Sequence, residues 1–391
     1  MRGICGLCHR DTLEDVYQPE GSTRGITVHL CRHCGLVQSL PRVAHAPRRP
    51  PSVSGGADWG NVRYGKGFRT RAALAALARH ADLATPLHLL DVGSNRGSFA
   101  KAFLDAAPSA QIVAVEPDER VAESCAGLAR TQLITGRIEN VALEDARFDI
   151  VHSCHTIEHL ADPAQVLADH WRVLKDGGLL LLDAPNLAFL GGSDVVEEWF
   201  IDKHLYHFSV RTLLRMLGEA GFTVIDGPDA GDRDNILIVA RKAARPQSAA
   251  LAADPQEVES ARTLIAHYIA SRARNLMALT AVAAEIAAQK SRGVAIWGAG
   301  RIFDNLVRHG HFDATTLNLL IDTHLKAHVR ERHGCTLAGP EALADAAPGV
   351  VVVMSRAFAG EISEQVRSLA PGAEILLYSD LLARAQTRAA A

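Results

Sequence analysis

The sequence predicts an α/β protein: two Rossmann-like units preceded by a small metal-binding segment. Three observations carry this reading. Short apolar runs alternate with amphipathic stretches between residues 63 and 243, and the same alternation restarts at residue 291. Two cysteine doublets, Cys5-x2-Cys8 and Cys31-x2-Cys34, stand in front of both. A chain of 391 residues also exceeds one typical domain.

The N-terminal segment, residues 1–44, has few apolar residues, so a metal would have to supply much of its folding energy. Four thiolates in paired doublets can complete the closed tetrahedral shell of a structural zinc ion. Gly35, directly after the second doublet, lets backbone amides turn toward sulfur. His9, His29 and His33 are weaker ligand candidates. Cys125, Cys154 and Cys335 are isolated and read as small buried hydrophobes.

Residues 45–62 are rich in Pro, Ser and Gly and read as a linker. The first α/β unit spans 63–243. A helix around "RTRAALAALARHA" opens it, followed by the strand "LHLLDVG" and a helix from Ser98. "QIVAVEP", a helix near 118–130, "TQLITG", "FDIVHSC", the helix "DPAQVLADHWRVL" and "GGLLLLDAP" continue the alternation. This pattern indicates a doubly wound parallel sheet. The last two strands, "FTVIDGP" and "NILIVARK", are joined by a short loop and should pair antiparallel, because a parallel crossover needs far more chain. Residues 244–290 form a second linker and a long Ala-rich helix. The second α/β unit covers 291–386, and the tail "ARAQTRAAA" should fray.

The formal net charge is −3 and no long basic run appears, which argues against a nucleic acid or a membrane surface as the main partner. No stretch approaches the roughly 20 apolar residues of a membrane span, and "MRGICGLCHR" is not a signal peptide. The expectation is a soluble cytoplasmic protein acting on a small molecule. Its oligomeric state is not legible.

The turn "DVGSNRGSF" follows the first strand. Gly93 and Gly97 permit tight turning and close approach to a ligand. Glu116 ends the second strand, 23 residues beyond Gly93, where a carboxylate can accept hydrogen bonds from both ribose hydroxyls. These features fit a nucleoside ligand without choosing between NAD and S-adenosylmethionine. The turn does lack the glycine spacing that cradles a pyrophosphate.

"HTIEHLADPAQVLADHWRVLKDGGLLLLDAPN" resembles the strand-4 to strand-5 region of class I methyltransferases, and the terminal strand pair resembles the antiparallel last strand of that fold. The resemblance covers about 63–243 and implies a seven-stranded Rossmann-like sheet binding S-adenosylmethionine. "GSNRG" further resembles the Gly-Ser-Asn-x-Gly turn of deoxysugar C-methyltransferases. So does the ordered trio of four-cysteine zinc domain, methyltransferase core and C-terminal α/β domain. The resemblance implies C-methylation of a nucleotide-linked keto-sugar, with the last unit binding substrate. O- or N-methylation is the alternative reading, and an NAD-dependent oxidoreductase a remote one.

The resemblance also implies site residues. The family's general-base histidine aligns with His204 in "IDKHLYHFS", although Ile201, Asp202 and Lys203 replace the three residues before it. Another family histidine matches His159, and a family tyrosine corresponds to Tyr64. Imidazole can take a proton near neutrality. For the cofactor, the candidates are Asp91, Gly93, Asn95, Gly97, Glu116 and Glu139, with His155 beside the donor. Glu158, Tyr206 and His207 are lesser candidates, and Asp202 with Lys203 reads as a solvated pair. In the second unit, Gly298-x-Gly300 opens a helix and Asp322 lies 24 residues beyond Gly298, but Phe303 occupies the third glycine's place. A phosphate-bearing substrate suits that helix start better than NAD does.

Overall fold

The computed structural model describes residues 3–41, 68–119, 125, 127–245, 250–327 and 329–390. They form two compact units. The first takes in 3–41, 68–190 and 200–265, the second 191–199 and 266–390.

The first unit begins with three short strands, β1 (Leu13–Tyr17), β2 (Thr27–Cys31) and β3 (Val37–Leu40), paired antiparallel. Helix α1 (Phe68–Ala78) leads into β4 (His88–Val92), α2 (Ser98–Ala106), β5 (Gln111–Glu116) and β6 (Thr131–Thr135). Residues 120–124 and 126 of the helix expected near 118–130 lie outside the described residues. β7 (Phe148–Cys154), α3 (Pro163–Val173) and β8 (Leu174–Pro185) follow. α3 starts where Asp162 accepts the Gln165 N–H and Pro163 supplies a preset φ, the ordinary N-terminal signals of a helix. β9 (Tyr206–His207), α4 (Val210–Glu219), β10 (Phe222–Asp226) and β11 (Asn235–Lys242) complete the unit.

Seven strands make one sheet in the order β10-β11-β8-β7-β4-β5-β6. β11 runs antiparallel to both β8 and β10, while β4 to β8 are mutually parallel. The apolar run of β8 is buried on both faces because helices cover the sheet on either side. β4 has β5 on one flank and β7 on the other, so the chain reverses its winding there. The carboxyl ends of β4 and β7 therefore open a crevice of the kind in which α/β sheets bind ligands.

β9 joins a different sheet. It pairs with β3, Val37 opposite His207 and Gln38 opposite Tyr206, so a piece of the core completes the N-terminal sheet β1-β2-β3-β9. Leu7 and Leu36 pack in the same apolar cluster as Leu182, Leu205 and Phe208.

The helix α5 (Pro255–Ala287) is followed by the second unit's sheet. β12 (Val294–Trp297), α6 (Arg301–Gly310), β13 (Leu319–Ile321), β14 (Glu331–Arg332), β15 (Cys335–Ala338), α7 (Ala342–Ala346), β16 (Val350–Val353), α8 (Ala359–Leu369) and β17 (Glu374–Leu377) give the order β14-β15-β13-β12-β16-β17. β14 is its antiparallel edge. Residues 191–199 belong here: Arg356 binds Glu197 at 2.6 Å, and Asn275 donates to the carbonyls of Ser193 and Val195. The tail expected to fray is instead helical, α9 (Tyr378–Ala390), because Leu381, Leu382 and Ala385 are buried in the unit's core. Among the described residues no helix is long and apolar enough to cross a membrane.

Candidate functional site

The turn after β4 is built on left-handed backbone. Gly93, Asn95 and Gly97 have φ of 70°, 51° and 75°. A Cβ on Gly93 would lie 2.2 Å from Thr156 Oγ1, and one on Gly97 would lie 2.8 Å from Cys125 Sγ. The glycines thus serve both conformation and close approach. Glu116, nearly buried, spans the turn with its carboxylate: Oε2 accepts the Asn95 N–H and Oε1 the Asp118 N–H, both at 2.9 Å. Burial raises its pKa above the usual carboxylate range, against the pull of these two bonds.

Asp91 is buried at the end of β4. Its Oδ1 accepts from His152 Nδ1 at 2.7 Å, while Oδ2 has no hydrogen-bond partner. His152, directly opposite Asp91 on β7, stacks on Phe99. Nothing in the sequence marks His152 except its place in the strand register. Asn95 Oδ1 is likewise buried without a partner. Two unanswered acceptors beside a tight left-handed turn are what a cradle for a donor-rich ligand presents, and the residues fit S-adenosylmethionine's ammonium and ribose hydroxyls. Glu139 stands in the 3-10 turn Ile138–Asn140, where it binds Arg137 at 2.6 Å.

Thr156 ties this turn to the segment after β7, since its Oγ1 lies 3.3 Å from the Val92 carbonyl. In that segment Ile157–His159 form a 3-10 turn. Two hydrogen bonds clamp the turn to the loop before β9: Leu205 N–H to the Glu158 carbonyl at 2.7 Å, and His159 Nδ1–H to the Lys203 carbonyl at 2.8 Å. The rings of His159 and His204 consequently lie 4.9 Å apart. The two sequence-predicted histidines, 45 residues apart in the chain, meet in one place.

Glu158 sits beneath them, 1% exposed, and neither carboxylate oxygen has a hydrogen-bond partner. Burial pushes its pKa up to about 8. Burial also lowers His159 to about 4, helped by the Lys203 charge, and holds His204 well below the usual imidazole value, with His159 adding to it. Both rings are therefore neutral at pH 7 and can accept a proton. His155, in left-handed conformation, donates its N–H to the Asp183 carbonyl, and its ring contacts Arg69. Arg69 in turn pairs with Asp183 at 2.6 Å and with Asn235. Sequence reasoning missed this Arg69–Asp183 link, which joins positions 114 residues apart and leaves no local signal.

Other candidates are engaged in contacts within the fold. Tyr206 is buried, donates to the Ala161 carbonyl at 3.2 Å and fills the space beside Gly6. His207 is buried in β9 with its Nε2 2.9 Å from Ser39 Oγ. Asp202 is not half of a solvated pair with Lys203: it accepts from Ser22 Oγ at 2.5 Å and from Thr23 N–H and Oγ1–H. Cys125 is buried, but Cys154 and Cys335 are only half-buried and donate to Asp183 and the Ala314 carbonyl. Tyr64 lies outside the described residues.

The four N-terminal thiols converge. Cys5, Cys8, Cys31 and Cys34 bring their sulfurs within 4.8 Å of one another, with Cys5–Cys34 and Cys8–Cys31 at 3.5 Å. Sulfurs about 2.3 Å from one tetrahedral zinc would stand about 3.8 Å apart, so the set fits the ion. Leu7 N–H and Thr12 Oγ1 lie 3.4 and 3.1 Å from the Cys5 and Cys31 sulfurs, giving an outer shell, and Gly35 turns with φ 79°. Hydrogen bonds from Cys34 and then Cys5 hold the Cys31 thiol far below its ordinary range. His29 and His33 are engaged elsewhere, with Asp15 and the Leu251 carbonyl, and none of the three nearby histidines joins the thiols.

In the second unit, Gly298 (φ 114°) donates to the Ile321 carbonyl, and Asp322 accepts from Ala299, His324 and Leu325 N–H. Gly300 caps α6, and Phe303 is buried behind it.

Residues 90–182, which run from β4 into β8, match the model of the methyltransferase domain family. A Mycolicibacterium smegmatis protein described as a probable S-adenosylmethionine-dependent methyltransferase is 32% identical over 140 residues, 35% of this chain and 52% of that protein. A Mycobacterium tuberculosis protein described in the same words is 30% identical over 164 residues, 40% of this chain and 58% of its own. The demethylmenaquinone methyltransferase of Deinococcus radiodurans is 32% identical over 126 residues, covering 31% and 50%. The chain thus spans about half the length of these curated relatives. An S-adenosylmethionine-dependent methyltransferase structure from Mesorhizobium loti aligns with 15% identity and a TM-score of 0.36, over 48% of this chain and 98% of that one. Residues 90–182 thus match a methyltransferase domain, and the chain is similar in sequence to proteins described as S-adenosylmethionine-dependent methyltransferases.

Proposed function

We propose that the protein transfers the methyl group of S-adenosylmethionine to a small molecule, namely a carbon of a nucleotide-linked keto-deoxysugar. The observation that carries the reading is the junction at Thr156. It sets the left-handed turn Gly93–Gly97, closed by Glu116, against the segment that bears His159, with His204 clamped beside it.

The bound cofactor supplies a sulfonium methyl already activated for in-line attack, so the protein's work is orientation and removal of one proton. Glu116 and the orphaned oxygens of Asp91 and Asn95 would hold the donor's ribose and ammonium, with Glu139 and His155 at the margins. His204, kept neutral by burial, would accept the proton that leaves the acceptor, and His159 is its nearest substitute. Cys5, Cys8, Cys31 and Cys34 would hold a structural zinc ion. The start of α6 in the second unit would take a phosphate-bearing ligand.

A second reading, O- or N-methylation, draws on Asp202. The deoxysugar family has three other residues before its base; here Ile201, Asp202 and Lys203 stand there, and Asp202 is committed to Ser22 and Thr23. Incubating the purified protein with methyl-labelled S-adenosylmethionine and a panel of nucleotide sugars tests the proposal. Label on a carbon of a keto-sugar supports it, label on oxygen or nitrogen selects the second reading, and S-adenosylmethionine that neither binds nor reacts overturns both.

A further inference from the structure

We propose that Glu158, His159 and His204 form a binding site for a divalent first-row transition-metal ion, apart from the four-cysteine site. One ligand atom from each of the three lies within 4.8 Å of the others. Glu158 Oε1 is 3.6 Å from His159 Nε2. Two ligands about 2.1 Å from a shared ion stand about 3.4 Å apart at the tetrahedral angle, so this pair is already spaced for one. Rotation of the His204 side chain closes the third position.

Two further observations point to a cation. Glu158 is 1% exposed and both its oxygens lack a hydrogen-bond partner, although His155 Nδ1 and His159 Nε2 are each only 3.6 Å away. A buried carboxyl group without a hydrogen-bond partner, set beside two imidazole nitrogens at 3.6 Å, has its oxygens open to a cation. His159 is also prepared as a ligand. Its Nδ1–H is spent on the Lys203 carbonyl, which fixes the tautomer and turns the Nε2 lone pair toward Glu158. An imidazole oriented through its other nitrogen by a backbone carbonyl is the usual support of a metal-binding histidine.

Two imidazoles and one carboxylate suit manganese, iron, cobalt or zinc, and they leave coordination positions open. The half-buried rings of His159 and His204 put those positions at the edge of the crevice. The inference rests on the methyl-transfer reading for its use: an acceptor hydroxyl on the ion would be acidified and release its proton to water. Its oxygen would then form the new O–C bond as the S–CH3 bond breaks, the electron pair staying on sulfur. With the ion bound, His204 is a ligand and the proton leaves from the metal-held hydroxyl of the second reading; without the ion, His204 is free to act as the base.

The test uses the full-length protein with its cysteine site loaded with zinc. Manganese(II) is titrated in and its unbound fraction followed by electron paramagnetic resonance. One manganese per chain with a micromolar dissociation constant is expected, weakened at least tenfold in both Glu158→Gln and His204→Ala, with zinc content unchanged. Absence of manganese binding beyond the cysteine site, or affinity unchanged in both variants, overturns the inference. If Glu158→Gln fails to fold, His204→Ala decides, because that ring is only half-buried. Calorimetry of S-adenosylmethionine on the same samples keeps the questions separate. Loss of cofactor binding would sink the methyl-transfer reading, whereas cofactor binding with turnover that survives chelation sinks only the ion.

Discussion

Glu116 closes the turn after β4 by accepting the backbone N–H of Asn95 at 2.9 Å, so the residue proposed to read the ribose also holds the shape of the turn. Glu116→Ala removes both functions together. S-adenosylmethionine affinity, measured by calorimetry, should fall by the worth of charge-assisted hydrogen bonds, roughly 1.5–3 kcal/mol. Glu116→Gln should lose less, since an amide oxygen can still accept from Asn95. Unchanged affinity in the alanine variant would displace the ribose from this carboxylate.

Gly93→Ala tests the turn from the other side. Its φ of 70° disfavours any side chain, and the new Cβ would meet Thr156 Oγ1 at 2.2 Å. Strain of about 1–3 kcal/mol is expected from the backbone alone, with steric cost added. The variant should show a lower Tm and weaker cofactor binding. Adding Thr156→Ala should recover the steric part and leave the backbone part. A single variant as stable and as tight-binding as the parent would mean that the turn tolerates another conformation.

The sheet core was legible because its signals are local. Apolar runs such as "LLLLDA" and helices opened by Asp162-Pro163 announce themselves within a few residues, and the short link before β11 dictates its antiparallel course. The turn Gly93–Gly97 and the cysteine doublets are also short-range patterns. Contacts across long separations were not legible. β9 is two residues long and joins β3, Asp202 reaches Ser22 across 180 positions, and Arg69 pairs with Asp183. Each depends on where the folded core places a loop, and none has a periodicity. The same limit explains why Asp202 read as a solvated charge.

The β3–β9 pairing makes the cysteine site matter to the loop before it. Ser39 N–H donates to the Leu205 carbonyl at 2.9 Å, and Leu205 N–H to that of Glu158. Cys31→Ser, or removal of zinc by a strong chelator, should therefore disorder 3–41 and loosen the placement of His204. The expected results are one zinc per chain by metal analysis in the parent and loss of it in the variant. Turnover should fall more steeply than cofactor affinity, because the β4 turn does not depend on β3. Freshly purified protein without zinc would refute this account.

His170 on α3 gives a pH test away from the site. It is 3% exposed, and burial lowers its pKa to about 4. The unfolded chain binds its proton near pH 6.5 while the native state does not until about 4. Stability therefore rises with pH across that window and is lost as pH falls through it. At about 1.36 kcal/mol per pH unit the contribution reaches at most roughly 3 kcal/mol. Urea denaturation at pH 7 and pH 5 should show a smaller difference for His170→Leu than for the parent. Equal pH dependence in the two would mean that this histidine is not buried neutral.

The rings of His204 and His159 lie 4.9 Å apart, and replacing the first separates their roles. His204→Ala should lower turnover by about 10²–10⁴-fold, the usual worth of a general base. Cofactor affinity should hardly move, because the donor site proposed at Glu116 and the β4 turn does not include it. Tm should hardly move either, since the loop is held by backbone bonds at Leu205 and by Asp202, not by the His204 ring. If the acceptor is a keto-sugar, the parent should also exchange the acceptor's α-hydrogen with deuterated water, and the variant should not. An active parent that shows no exchange would point to a hydroxyl acceptor, for which no carbon acid is needed. Near-normal turnover in a folded variant would pass the proton to His159 Nε2. Lost activity together with a lowered Tm would make His204 a support for its loop, and the crevice would then need another proton acceptor.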